Sequence, residues 1–268
     1  MTSPRFYKTE AIVLRHVPWG EADVILSLLT PNLGKLRAVA RGSRRTKSKL
    51  GGHVEPLTRV SLSLTTGKGL DIVTGAQAID SHRRLREDLD LLSASLYCTE
   101  LSDALVADEQ LAGSQYHLLR RTLEWMEQWA SPQLLISYFE LRLVDLSGFL
   151  PELYHCVSCR SEIVPDAHAF SPSLGGVLCP NCYNVEGRVI PLPVRVLKVL
   201  RYFLRETPEN VARLGLTEEV SGQVEQMLRR YITFILEREL HSTRFLYRLK
   251  QLRARMENAM PQTVVPSA

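Results

Sequence analysis

The stretch Leu57-Thr-Arg-Val-Ser-Leu-Ser-Leu-Thr-Thr66 alternates, with Val60, Leu62 and Leu64 on one side and Ser61, Ser63 and Thr65 on the other. Side chains of an extended chain point to opposite faces in turn, so this pattern predicts a strand with one buried face. Gly67-Lys68-Gly69 turns the chain into a second strand at Leu70 to Ala78. Upstream, strands are expected at Thr9 to Val17, ended by Pro18-Trp19-Gly20, and at Ala22 to Thr30. Pro31-Asn32-Leu33-Gly34 supplies the turn before a further strand, Lys35 to Arg41. Five short strands in residues 1–80 suit a small closed barrel of the OB type, since an open sheet of this length would leave its edges unpaired.

Downstream the period changes. Leu85, Leu89, Leu92, Leu96 and Leu101 keep the spacing of a core-facing helix. A second helix is expected at Gln115 to Ala130, with Leu119, Leu123 and Met126 on its inner stripe. A third is opened by Pro132 and closed by Gly148 and Pro151. Helical character resumes at Pro191-Leu-Pro193, through Val196, Leu200 and Phe203. A final long helix starts near Thr217, with Glu218 and Glu219 in its first turn. The fold class is therefore α+β and multidomain: a barrel at 1–80, a helical domain in two parts at 81–152 and 191–250, an inserted segment at 153–190, and a tail at 251–268 expected to be frayed.

The inserted segment carries the sharpest chemical signal. Cys156-x-x-Cys159 is followed, after nineteen residues, by Cys179-x-x-Cys182. Two such pairs present four thiolates to one tetrahedral ion, so a zinc finger holding one zinc is expected. Four thiolates leave no position for water, which makes the zinc structural. A nucleotide deaminase does not fit: the one His-x-Glu, His53-Val54-Glu55, lies far upstream in the barrel segment, and Leu178 rather than proline precedes Cys179. His155 and His168 are nearby alternative ligands, read more simply as loop histidines. Cys98 lies in a helical stretch as an ordinary core or surface thiol.

Charge is the second signal. Residues 1–80 hold twelve Lys/Arg against six Asp/Glu, whereas the remainder is slightly acidic, and no acid occurs between Asp23 and Glu55. Within that window lie Lys35, Arg37, Arg41, Arg44, Arg45, Lys47 and Lys49. By period two, Lys35, Arg37 and Arg41 share a strand face. The others occupy Gly42-Ser-Arg-Arg-Thr-Lys-Ser-Lys-Leu-Gly-Gly52, a loop expected to be flexible enough to follow a phosphate backbone. Such a cluster binds nucleic acid by counterion release, without sequence preference. Only Phe6, Tyr7 and Trp19 are aromatic in this unit, so binding should be chiefly electrostatic rather than by base stacking.

Other chemistry is missing. Gly67-Lys68 lacks the rest of a phosphate loop, and no nucleophile elbow, His-Glu-x-x-His or dinucleotide fingerprint occurs, so the chain reads as a non-enzyme. No signal peptide or membrane-spanning run is read, which places the chain in the cytoplasm and, with a DNA partner, at the nucleoid.

Several stretches resemble the RecO family of recombination mediators. They are Gly20-Glu-Ala-Asp-Val-Ile-Leu-Ser-Leu-Leu-Thr-Pro-Asn-Leu-Gly-Lys-Leu-Arg-Ala-Val-Ala-Arg-Gly42 and Ser48-Lys-Leu-Gly-Gly-His-Val-Glu-Pro56; Phe149-Leu-Pro-Glu-Leu153 with Cys156-Val-Ser-Cys159 and Phe170-Ser-Pro-Ser-Leu-Gly-Gly-Val-Leu-Cys-Pro-Asn-Cys182; and Glu239-Leu-His-Ser-Thr-Arg-Phe-Leu246. The resemblance implies binding of single- and double-stranded DNA and annealing of complementary strands without ATP. It also implies partnership with RecR, contact with the acidic C-terminal tail of the single-strand-binding protein, and help in loading RecA. A reading of a different class makes the chain chiefly a protein-interaction scaffold, with incidental DNA contact.

Overall fold

Five strands close the N-terminal sheet on itself: β1 (Phe6–Trp19), β2 (Asp23–Thr30), β3 (Gly34–Ala40), β4 (Arg59–Thr65) and β5 (Asp71–Asp80). Their order is β1-β2-β3-β5-β4, with β4 pairing back onto β1 and only the β3–β5 contact parallel. This is the five-stranded barrel of the OB fold. The computed structural model describes residues 6–108, 110–128, 132–185, 187–243 and 245–246; the tail expected at 251–268 and Arg244 of the last quoted motif lie outside the described residues. The alternation in β4 is what the barrel uses: Val60, Leu62 and Leu64 are fully buried with Leu26, Leu28, Ala38 and Val73 in the barrel core. Gly34 ends the β2–β3 turn at φ +70°, with the carbonyl oxygen of Gln110 only 1.8 Å from where a Cβ would sit, so glycine alone fits there.

The helical body comprises α1 (Arg83–Glu87), α2 (Leu89–Leu105), α3 (Gly113–Gln128), α4 (Pro132–Leu146), α5 (Val194–Arg205), α6 (Pro208–Ala212) and α7 (Glu218–Leu236). At its centre α4 packs against α2, α3, α5, α6 and α7, with Phe139, Leu141, Leu143 and Val144 fully buried. The two sequence segments flanking the cysteines thus share one core. The leucine stripe starting at Leu85 does not form a single helix. Asp88 is extended (φ −111°, ψ 123°), and its side chain accepts the N–H groups of Asp90 and Leu91, starting α2 afresh. Leu85 is buried on α1 while Leu89 is half exposed.

Barrel and helices meet along β1 and β2. Ala11 and Val13 point into the barrel, whereas Ile12, Leu14 and Leu29 belong to the helical core. Polar groups tie the same face: Ser27 donates to Asp103 (2.5 Å), Arg15 pairs with Asp103 (3.3 Å), and the Tyr116 hydroxyl donates to Glu10. Burial, and then the bond to Glu10, raise the pKa of Tyr116 and keep that hydroxyl a donor.

Candidate nucleic-acid interface and metal centre

Of the seven cations in the acid-free window, six lie on the surface: Arg37, Arg41, Arg44, Arg45, Lys47 and Lys49 are exposed, and among the described residues none has an ion-pair partner. Lys35 differs. It is buried, its ammonium donates to the Asp103 carbonyl (2.7 Å), and it pairs with Asp108 (2.9 Å). The reason is placement. Lys35 lies opposite Leu29 on β2, on the barrel wall covered by the helical body, so it ties the two together and is not available to a phosphate. This corrects its expected role in the patch.

The loop after β3 is more tethered than its composition suggests. The Gly42 N–H donates to Asp23 (2.7 Å) and the Arg44 N–H to the Ala22 carbonyl (2.9 Å), while Arg45 and Ser48 extend a run of turns. The Ser48 hydroxyl accepts the N–H groups of Leu50 and Gly51, and Leu50 and Val54 add to the barrel core. Four of the exposed cations, Arg44, Arg45, Lys47 and Lys49, are therefore displayed on a fixed backbone beside the β1–β2 turn. Both contacts to Ala22 and Asp23 bring the loop to the end of β1, where Trp19 pairs with Asp23 and is half exposed. Trp19 adds a half-exposed aromatic face to this rim; its signal lay in position, at the turn that receives the loop.

The cysteine segment forms a three-stranded sheet, β6 (His168–Ser171), β7 (Gly176–Leu178) and β8 (Ile190–Leu192), in the order β7-β6-β8. The first pair sits in a turn in which the Cys156 N–H donates to the Ser161 carbonyl and the Arg160 N–H to the Cys156 carbonyl, with Arg160 at φ +65°. The second pair opens a 3₁₀ turn at Pro180–Val185, with the Cys182 N–H bonded to the Cys179 carbonyl. Together they bring Cys156, Cys159, Cys179 and Cys182 within 4.8 Å of one another. Gly175 (φ +68°) and Gly176 allow the close approach: a Cβ on Gly176 would lie 2.4 Å from Val157 Cγ1 and 2.8 Å from the Glu152 carbonyl oxygen.

The Ser161 hydroxyl holds the Cys159 thiol down to about 6. Cys182 is pushed up to about 12: the Ser158 hydroxyl favours its thiolate, but Cys179, burial, Cys159 and Cys156 together outweigh it. The quartet is thus uneven, with the Cys159 thiolate favoured and the Cys182 thiolate opposed by its sulfur neighbours. The Cys179 N–H also points at Cys156 Sγ (3.4 Å), as peptide N–H groups do toward ligating thiolates. The quartet fits a tetrahedral metal ion. His155 instead faces Glu152, His168 bonds the Val164 carbonyl, and Cys98 is fully buried, where burial raises its thiol.

The segment docks firmly. The Arg201 guanidinium of α5 donates twice to the Leu153 carbonyl (3.0 and 2.6 Å) and lies 4.6 Å from the Tyr154 ring centre. Tyr231 of α7 donates to the Phe149 carbonyl and meets Phe170 edge-on at 5.1 Å.

A closed barrel with an exposed basic rim, joined to a helical body that carries a four-cysteine cluster able to hold a metal ion, defines a protein of the OB-fold class. Comparison with known families narrows this. Residues 1–82 match the model of the recombination protein O N terminal region and residues 86–244 that of its C terminal region. The DNA repair protein RecO of Dehalococcoides mccartyi (strain CBDB1) is 39% identical over 239 residues, covering 89% of this chain and 94% of its own. That of Roseiflexus sp. (strain RS-1) is 37% identical over 264 residues, covering 98% and 92%. That of Symbiobacterium thermophilum is 34% identical over 250 residues, covering 92% and 99%. The chain belongs to the recombination protein O family, and its role lies in DNA repair and recombination. Among the described residues no helix is long and apolar enough to cross a membrane.

Proposed function

We propose that the chain is a non-enzymatic recombination mediator. It captures single- and double-stranded DNA on the rim formed by Arg37, Arg41, Arg44, Arg45, Lys47 and Lys49, and it anneals complementary strands without ATP. The observation that carries this reading is the cluster of exposed cations free of acidic partners, fixed on the barrel beside Trp19. Two strands approach only when the phosphate charge of both is screened, and a dense cationic surface supplies that screening without chemistry. Zinc in the Cys156, Cys159, Cys179 and Cys182 quartet supplies folding energy to the inserted segment rather than catalysis. Within this reading the protein works at the nucleoid in the cytoplasm. It joins RecR, touches the tail of the single-strand-binding protein through the helical body, and helps load RecA.

The test is annealing of complementary oligonucleotides precoated with the cognate single-strand-binding protein, in the absence of nucleotide. Acceleration by the wild type, lost on replacing Arg41, Arg44 and Arg45 by glutamine, is expected. Binding to coated strands with no acceleration would replace this reading with that of a protein-interaction scaffold.

A further inference from the structure

Where β5 ends and α1 begins, His82 adopts a left-handed backbone conformation (φ +47°), unusual for a residue with a Cβ. Its ring is buried, with 1% of the residue exposed, and among the described residues neither ring nitrogen has a hydrogen-bond partner. Such an orphan costs free energy unless something else occupies its lone pair. Nδ1 faces two carboxylates, Glu127 Oε2 at 3.4 Å and Asp80 Oδ2 at 3.7 Å. Both distances exceed a normal N–H···O bond. The other Asp80 oxygen accepts the backbone N–H of His82 (2.8 Å), which holds the carboxylate with Oδ2 toward the ring.

Three donor atoms thus converge within 4.8 Å of one another from the end of β5, the start of α1 and the last turn of α3. Donors bound at about 2.0–2.2 Å to a tetrahedral zinc ion lie roughly 3.3–3.6 Å apart. The Glu127 separation falls within that spacing and the Asp80 separation lies just beyond it, and both are longer than a normal hydrogen bond. Among the described residues no arginine of α1 forms an ion pair with either carboxylate: Arg83 binds Glu87, Arg86 reaches the Ser81 and Pro56 carbonyls, and Arg84 pairs with neither.

We propose that Asp80, His82 and Glu127 form a second metal site, for a divalent ion of the zinc class, that staples the last barrel strand to α3. The neutral imidazole supplies one ligand and the carboxylates two, with charge that balances a divalent cation. Asp80 and Glu127 are partly exposed, so the ion enters from solvent and keeps water at its open position.

The experiment measures zinc bound by the untagged full-length chain, by elemental analysis and by titration with Zn²⁺ alone. In parallel, Co²⁺ substitution reads thiolate coordination at the cysteine quartet. Two equivalents per wild-type chain are expected. Glu127→Gln and Asp80→Asn, both at partly exposed positions, should weaken the second equivalent by more than roughly 10–100-fold, the loss that follows when only a group supporting a ligand is removed. The thiolate-to-cobalt bands of the quartet should not change. His82→Ala is a weaker test because emptying a buried position also perturbs folding. A wild-type chain that takes up zinc only at the quartet, or a second equivalent held equally tightly by Glu127→Gln and Asp80→Asn, overturns the proposal.

Discussion

Replacing Arg41, Arg44 and Arg45 by glutamine removes three of the six exposed cations of the rim while leaving in place the backbone hydrogen bonds from Gly42 and Arg44 that tether the loop. Each phosphate neutralised on a single strand contributes roughly 0.7 to the slope of log affinity against log salt. Six contacts give a slope near −4, and three give about −2. Between about 50 and about 200 mM NaCl the wild type should then lose roughly 300-fold in affinity and the triple variant only about 20-fold. Fluorescence anisotropy of a labelled oligothymidine, titrated at several salt concentrations, reads both slopes.

Lys35→Met is the control. Its ammonium is spent on Asp103 and Asp108, so the slope should stay at the wild-type value. Stability to urea should fall by about 2 kcal/mol, because a charged hydrogen bond between barrel and helical body is lost and Asp108 is left to solvent. A triple variant with an unchanged slope, or Lys35→Met flattening the slope as much as the triple variant, would refute the assignment of the rim.

Gly176→Ala should cost about 1–3 kcal/mol, because its Cβ collides with Val157 and the Glu152 carbonyl oxygen; a lowered melting temperature of the zinc-loaded chain is the readout. Replacing Cys156 and Cys179 by serine should raise amide exchange across residues 153–192 while the barrel amides stay protected, and exchange rising equally in both would contradict separate stabilisation. Glu100 accepts the N–H groups of His241 and Ser242; burial acts to raise its pKa, but the bonds from Ser242 and His241 outweigh this and lower it. A carboxyl depressed on folding stabilises above its unfolded pKa, and that contribution disappears as pH falls through the folded value. Acidification below the usual carboxylate range should therefore lower the protection factors of the His241 and Ser242 amides first, and Glu100→Gln should abolish that pH dependence.

Much of this was legible because local pattern and tertiary demand agree. Val60, Leu62 and Leu64 alternate because one face of β4 lines a core, and the cysteine spacing announces a metal turn wherever the segment docks. Two features were hidden for a common reason. The leucine period runs unbroken through Asp88, so only the capping role of that side chain reveals that α1 and α2 are separate helices. Lys35 shares its strand face with Arg37, and nothing local says that Asp103 and Asp108 cover one and leave the other in water. The cluster of Asp80, His82 and Glu127 joins residues too distant in sequence for any spacing rule to unite.

The division of β1 between two cores has a mechanical meaning. Ala11 and Val13 belong to the barrel, Ile12 and Leu14 to the helices, so neighbouring residues of one strand are party walls between two interiors. Force applied at the rim would enter β1 at the Trp19–Asp23 pairing and run along the same strand to Leu14 and Ile12, which already belong to the helical core. The same sharing means that cutting the chain after the barrel strips cover from Ile12, Leu14 and Leu29, and the severed barrel would present that apolar stripe to other molecules. The barrel and whatever the helices recruit are thereby yoked as one mechanical unit.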